Sequence, residues 1–242
     1  MSRSRRGVII GAVFGLALLA LAGCSSGSPS PAGTSSAPTS STAVAGAAWL
    51  DGGHAVAVVS MGSSSCIPAA GAISASGQKV TVEFAAPPAN QACTSDFVPR
   101  ATYVALPDGV NPAQNVQVTA NGSVTGTVTL AGLTQGVATA DQTPTAGWIE
   151  GMQSGGELSA GAFAFVTWGS STCPPALAAV TAASASDITV VLAAPPGQKT
   201  CTMDMAPRAA VAVSPPTVTG ADVTVSFEGD GITGSTKMLG TR

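Results

Sequence analysis

The stretch Lys79-Val80-Thr81-Val82-Glu83-Phe84 alternates polar and apolar residues with a period of two. That spacing is typical of a β-strand with one buried face. Similar short runs rich in Val and Thr, separated by Gly, Pro and Asn turns, occur at residues 116–119, 124–130, 187–192 and 223–226. The pattern predicts an all-β protein built as an antiparallel sandwich or a small barrel.

The chain also repeats itself. The run Gly62-Ser63-Ser64-Ser65-Cys66 returns as Gly169-Ser170-Ser171-Thr172-Cys173, and Cys93-Thr94-Ser95-Asp96 returns as Cys201-Thr202-Met203-Asp204. Trp49 returns as Trp148 with an offset about eight residues shorter, so the second copy carries extra residues, which we place at Met152 to Gly161. We therefore expect two tandem small antiparallel β-sandwich domains, Ig-like or barrel-like, at residues 47–133 and 146–242, joined by a linker at 134–145.

The amino terminus has the features of a lipoprotein export signal. Arg3, Arg5 and Arg6 precede an apolar run that ends in Leu21-Ala22-Gly23-Cys24. The apolar run is shorter than the ~20 residues of a spanning helix, and small residues stand where cleavage would occur. We predict a signal peptide at 1–23, an acylated Cys24 and a disordered Ser/Pro/Thr/Ala tether at 24–46. An uncleaved membrane anchor is the alternative.

The charge balance bears on the class of partner. The chain has 9 Lys and Arg against 12 Asp and Glu, and the three arginines of the signal leave 6 basic residues in the mature protein. No basic patch remains, so nucleic acid is not expected as a partner.

The four cysteines after Cys24 fall two in each copy. For an exported protein the economical interpretation is two disulfides within the repeats, Cys66–Cys93 and Cys173–Cys201. Free buried thiols are the alternative. A zinc site is disfavoured because the chain has no Cys-x-x-Cys motif and a single histidine, His54. We predict no metal or cofactor.

The pattern Asp-x-x-Pro-Arg provides the candidate site. It occurs as Asp96 to Arg100 and again as Asp204 to Arg208. In one interpretation the guanidinium groups of Arg100 and Arg208 face a ligand and the aspartates orient them. In the other, the motif is a structural turn in which the aspartate caps backbone N–H groups.

Two further motifs have structural interpretations. The run Gly229-Asp230-Gly231-Ile232-Thr233-Gly234 fits a nucleotide-binding pattern, but it joins two strand-like segments and is interpreted as a hairpin turn. Trp49, Trp148 and Trp168 are expected in the core rather than on an exposed platform.

The run from tryptophan through Gly-Ser-Ser-Ser-Cys to Cys-Thr-x-Asp-x-x-Pro-Arg is similar to sequences of actinobacterial cell-envelope lipoproteins. The resemblance implies a lipid-anchored protein on the extracytoplasmic face, with disulfide-bonded β domains. It implies no activity, so no catalytic residue is predicted.

The leading expectation for function is a non-enzymatic binding module whose partner is a cell-wall polymer or an envelope protein. The alternatives are a structural envelope component without a small ligand and a carboxylate-based hydrolase. A binding module should show a matching exposed patch on both repeats, whereas a hydrolase should show acids that converge in a cleft with raised pKa values.

Overall fold

A computed structural model describes residues 41–135, 140–151, 158, 160–197 and 200–242. Cys24, the predicted signal and the tether up to residue 40 lie outside the described residues, as does most of the predicted insertion. Within the described residues the regular structure is β-strand, apart from one short 3₁₀ turn at Asp51–Gly53. In that same part of the chain, no helix has the length and apolarity needed to cross a membrane.

Seven strands in each copy follow one another in the same order. The first copy contains β1 (Thr42–Leu50), β2 (Ala55–Gly62), β3 (Ala69–Ser76), β4 (Lys79–Ala85), β5 (Val98–Ala105), β6 (Val116–Gly122) and β7 (Val124–Leu130). The second contains β8 (Thr145–Trp148), β9 (Ala162–Gly169), β10 (Ala176–Ser184), β11 (Asp187–Ala193), β12 (Ala206–Val213), β13 (Thr224–Gly229) and β14 (Ile232–Lys237). The prediction of an all-β protein is confirmed.

The first repeat is one curled sheet rather than two separate sheets. Its strand order is β3-β4-β6-β7-β1-β2-β5. Residues from both halves of the sheet share one apolar core: Trp49, Val56, Val58 and Val104 from β1, β2 and β5, and Val80, Val82, Phe84, Val118 and Val128 from β4, β6 and β7. The curl brings the two halves together around this core.

The predicted antiparallel pairing holds for most of the described strand pairs, but three are parallel. β4 pairs with β6 in parallel, β11 pairs with β13 in parallel, and β1 meets β7 in a short parallel ladder at Thr42 and Ala43. A parallel pair needs a long connection. Here the chain supplies it by passing through β5 between β4 and β6, and through β12 between β11 and β13.

The second repeat divides its strands between two sheets. One has the order β10-β11-β13-β14 and the other β12-β9-β8. Trp148, Phe163 and Phe165 of the three-stranded sheet share a core with Ile188, Val190 and Phe227 of the four-stranded sheet. The strands of the second repeat thus surround a core equivalent to that of the first repeat.

A third core lies between the two repeats. Alternate residues of β2 and β9 point away from their own cores and meet in one cluster: Ala55, Ala57 and Val59 from β2, and Ala162, Ala164 and Val166 from β9. Ala48, Leu50 and Ile149 join the same cluster. The expectation of two tandem sandwiches joined by a linker is therefore corrected: the first repeat is a curled sheet, and the repeats pack together through buried faces.

The boundaries also differ from those predicted. β1 begins at Thr42, so the last residues assigned to the tether belong to a strand. Thr145, assigned to the linker, begins β8. From Trp49 to the start of β2 at Ala55 is 6 residues, and from Trp148 to the start of β9 at Ala162 is 14, so the eight extra residues do lie between β8 and β9.

Trp49 and Trp148 are core residues, as predicted, whereas Trp168 is only partly buried. The indole N–H of Trp49 donates to the carbonyl oxygen of Ala131 at 2.8 Å. The glycine-rich run near residue 230 forms the tight β13–β14 hairpin, like its counterpart between β6 and β7. Gly122 and Gly229 begin these turns with φ near +90° and +99°, and a Cβ on either would collide with a backbone carbonyl of the neighbouring strand.

Candidate functional site

Both predicted cysteine pairs are disulfides. Cys66 bonds Cys93 and Cys173 bonds Cys201, each with Cα atoms 5.4 Å apart. Each bridge joins the turn before β3 or β10 to the loop that leads into β5 or β12. The disulfide therefore fixes the entry of the strand that carries the candidate Pro-Arg pair.

The candidate aspartates hold the turn before the first cysteine. Oδ1 of Asp96 accepts hydrogen bonds from the backbone N–H of Ser64 at 3.1 Å and from the hydroxyl of Thr94. The second repeat has the same arrangement of Asp204 with Ser171 and Thr202. These hydrogen bonds, the threonine hydroxyl first, lower the pKa of both carboxyls from 3.8 to about 2, although both side chains are exposed.

The first candidate arginine, Arg100, is buried and hydrogen-bonds backbone carbonyls of two separate segments, an arrangement that we call the arginine brace. Arg100 is only 8% exposed. Its Nη1 donates to the carbonyl oxygen of Cys66 at 2.6 Å, and its Nη2 donates to the carbonyl of Met61 at 2.9 Å and to Oγ of Ser60 at 3.2 Å. The guanidinium lies so close to Gly62 that a Cβ there would be 2.6 Å from its central carbon. Arg100 thus joins the end of β2 to the disulfide.

Arg208 repeats this brace with fewer bonds. Nη1 donates to the carbonyl of Cys173 at 3.1 Å and Nη2 to the carbonyl of Trp168 at 2.7 Å. Thr167 replaces Ser60, and its buried hydroxyl has no hydrogen-bond partner. Arg208 is only partly buried. No ion pair with an aspartate is formed by Arg100 or Arg208 within the described part of the chain, so the aspartates do not orient the arginines directly.

A polar network across the repeats was not predicted from the sequence. The backbone N–H of Asp51 donates to Oγ1 of Thr145 at 2.7 Å, and the hydroxyl of Tyr103 donates to Oδ2 of Asp51 at 3.0 Å. The ring of Tyr103 meets Trp168 edge to face, with centroids 5.8 Å apart. Burial, and then the negative charge of Asp51, raise the pKa of Tyr103 well above its ordinary value. The only available signal was that Tyr103 is the single tyrosine of the chain.

Exposed apolar side chains occupy equivalent positions in the two motifs. Phe97 is 60% exposed and Met205, 108 positions later, is 62% exposed. Each directly follows the candidate aspartate of its motif, and the nearby Met203 is fully exposed. The candidates predicted from the sequence are the charged residues on either side and do not include Phe97 or Met205. The signal was present, because this position of the repeated motif is apolar in both copies.

The cavities among the described residues include three with the following linings. A groove of about 320 Å³ where β5 lies against β12 is lined by Ile67, Ala101, Thr102, Tyr103, Ser171, Pro174, Pro207, Arg208 and Ala209. A pocket of about 150 Å³ contains His54 and Asp108, and one of about 320 Å³ contains Glu150 and Arg242. The Glu150 carboxylate already accepts from the backbone N–H groups of Ala131 and Thr241.

These cavities do not resemble a hydrolase site. None of the three brings two carboxylates together, and within the described ranges no three His, Cys, Asp or Glu side chains are grouped to hold a metal ion. The candidate aspartates have lowered rather than raised pKa values.

Comparison of the chain with protein-family models, curated proteins and solved structures finds no match.

Proposed function

We propose that this protein is a lipid-anchored, extracytoplasmic binding module that engages a repetitive cell-envelope ligand through two equivalent positions, Phe97 and Met205. The observation that carries the proposal is the exposure of both side chains at the same place in the two repeats. Single exposed apolar side chains are common on protein surfaces, so the support comes from the exposure of an apolar side chain at the same position of both repeats.

The proposed location rests on residues 1–24 and on the disulfides. The apolar segment and Leu21-Ala22-Gly23-Cys24 support export and acylation of Cys24. Two disulfides are compatible with an oxidising extracytoplasmic compartment. The resemblance to actinobacterial envelope lipoproteins belongs to the same proposal.

The binding proposal is preferred to its two alternatives. A structural component without a ligand gives no reason for matched exposed side chains. A carboxylate-based hydrolase needs two acidic side chains at one cleft, and none of the three pockets described above is lined by two. Two like sites on one compact unit suit a repetitive ligand, because the second contact forms at high effective concentration.

Sedimentation with purified cell-wall sacculi tests the binding role. The full chain carrying Cys24→Ser, to exclude membrane attachment, is compared with the same chain carrying Phe97→Ser, Met205→Ser or both. We expect each single substitution to weaken co-sedimentation and the double to weaken it much further, through loss of bivalency. Leu177→Ser is the matched control, because Leu177 is an exposed apolar residue on β10. Sedimentation of the double variant at the level of the control would reject the role of these positions.

Fractionation of a bacterial host tests the anchor. We expect the unaltered chain in the membrane fraction, with an N-terminal peptide that begins at Cys24 and carries acyl groups by mass spectrometry. The Cys24→Ser chain should lack the acyl mass. An unaltered chain that keeps residues 1–23 or lacks acyl groups would contradict the lipoprotein assignment.

A further inference from the structure

We propose that the groove between the repeats binds a small ligand with an apolar body and an oxyanion group, and that Arg208 recognises the oxyanion. This site differs from the one proposed above, because neither Phe97 nor Met205 lines the groove. The two proposals therefore fail independently.

The walls of the groove suit an apolar body. Ile67, Tyr103, Pro174 and Pro207 supply apolar surface from both repeats. Its volume of about 320 Å³ is at the small end for ligand sites, which are mostly apolar with a few placed polar groups. A small molecule fits this space better than a polymer chain does.

Arg208 is the cation of the groove. A guanidinium has five N–H donors in a planar fork. Arg100 makes three hydrogen bonds, is buried and does not line the groove, whereas Arg208 makes two and lies partly open to it. Nε is buried without an acceptor in both arginines, so they differ in the bond that Nη2 of Arg100 donates to Ser60 and that Arg208 lacks. The second repeat therefore keeps a donor that the first repeat uses within the fold.

Charge complementarity selects an anionic ligand. Among the described residues no carboxylate forms an ion pair with Arg208: Asp204 of the same motif accepts from Ser171 and Thr202, and the charge of Asp230 acts on Arg208 without an ion-pair contact. A carboxylate, sulfonate or phosphate oxygen pair matches the fork of a guanidinium and forms charge-assisted hydrogen bonds. The polar groups of the groove thus favour an oxyanion over a neutral or cationic group.

Paired fluorescent dyes test the site directly. Anilinonaphthalene sulfonate is an apolar anion, and phenylnaphthylamine is a near analogue that lacks the sulfonate. We expect the folded Cys24→Ser full chain to bind the anionic dye about tenfold or more tighter, the effect of a hydrogen bond between charged groups. Native protein that binds neither dye, or both equally, would overturn the proposal.

Variants assign the preference to Arg208. Arg208→Gln should remove it, while Arg100→Gln, the matched loss of an arginine brace outside the groove, should retain it. An Arg208→Gln chain that keeps the preference, or an Arg100→Gln chain that loses it equally, would overturn the proposal. Thermal unfolding monitors the fold of each variant, and Arg208→Lys, which keeps the charge without the fork, should show a reduced preference.

Substitutions at exposed positions locate the dyes even if Arg208→Gln fails to fold. Ile67 is an exposed wall of the groove. Ile67→Ser should weaken both dyes by a similar factor of about three to ten. The Phe97→Ser/Met205→Ser double variant should bind both dyes as the parent does. Dye binding that disappears in the double variant and survives Ile67→Ser would place the dyes on the exposed residues and contradict the groove site.

Discussion

The two repeats differ at the strand that begins each of them. β1 has nine residues and pairs with β7, whereas β8 has four and is the edge of its sheet. Val44 lies near Gly126 in the first repeat, and Pro144 lies near Gly234 at the corresponding place in the second. Proline has no N–H to donate to a strand ladder. The same pattern of core residues is therefore compatible with one curled sheet in the first repeat and two separate sheets in the second. The residues before Trp49 and Trp148 determine which arrangement forms.

A second difference concerns the arginine brace. Ser60 gives Arg100 a third acceptor, and Thr167 gives Arg208 none. The two copies of the motif thus carry different hydrogen bonds, although both have a hydroxyl side chain at this position. Four sets of substitutions sharpen this comparison, from the largest expected effect to the smallest.

Loss of the two arginines should have unequal costs. Arg100→Ala removes a buried group with three bonds and should lower the free energy of unfolding by about 3 kcal/mol, whereas Arg208→Ala should cost about 1–2 kcal/mol. Urea unfolding of the two single variants measures both values. Equal costs would mean that the partly open environment of Arg208 makes no difference to its contribution.

The hydrogen bond between Tyr103 and Asp51 in the first repeat should respond to loss of its hydroxyl donor. Tyr103→Phe leaves the buried Asp51 carboxylate without that donor and should cost about 1–2 kcal/mol. In a cycle with Asp51→Ala, the double variant should lose less than the sum of the two singles. Strict additivity would show that the hydrogen bond contributes nothing to stability.

Much of the architecture can be predicted from the sequence. The period-two runs predict the strands, and the repeat predicts the matching strand order and the cysteine pairs. The packing of the repeats has a signal that was missed: residues 55–59 of β2 and 162–166 of β9 are all apolar, which is typical of strands buried on both faces. The curl of the first sheet has no such signal, because residues 42–46 read equally well as a tether and as a strand.

The candidate site divides in the same way. The repeated motif identified Asp96, Arg100, Asp204 and Arg208, and their two interpretations could not be separated without knowing the acceptors. Those acceptors are backbone carbonyls brought close by the fold, such as the carbonyl of Cys66, which no sequence pattern specifies. Tyr103 and the groove depend on the packing of one repeat against the other and were therefore beyond the reach of local patterns.

The hydroxyl positions beside the arginines should respond in opposite directions. Ser60→Ala removes an acceptor of Arg100 and should cost about 1 kcal/mol. Thr167→Val removes a buried hydroxyl that lacks a partner, so stability should stay the same or rise by up to about 1 kcal/mol. Thermal and urea unfolding of the two variants provide the comparison. A loss in Thr167→Val as large as in Ser60→Ala would indicate that Thr167 has an acceptor or donor after all.

The candidate aspartates Asp96 and Asp204 should contribute least to the free energy of unfolding, because both carboxylates are exposed to solvent. Their pKa values are lowered to about 2 in the folded state, so their contribution is complete above pH about 4 and is lost as pH falls through about 2. Asp96→Asn with Asp204→Asn keeps an acceptor oxygen without the titration. The free energy of unfolding of this double variant should fall less steeply between pH 4 and 2 than that of the parent. Identical slopes would contradict the lowered pKa values.

Calorimetry of the full chain carrying Cys24→Ser, with and without Arg100→Ala, tests most directly whether the two repeats form one unit. The shared core, the Asp51–Thr145 hydrogen bond and the Tyr103–Trp168 ring contact predict a single transition, with equal calorimetric and van 't Hoff enthalpies, that shifts as a whole in the variant. Two transitions, of which only one moves when Arg100 is replaced, would show that the repeats unfold independently and would contradict the account.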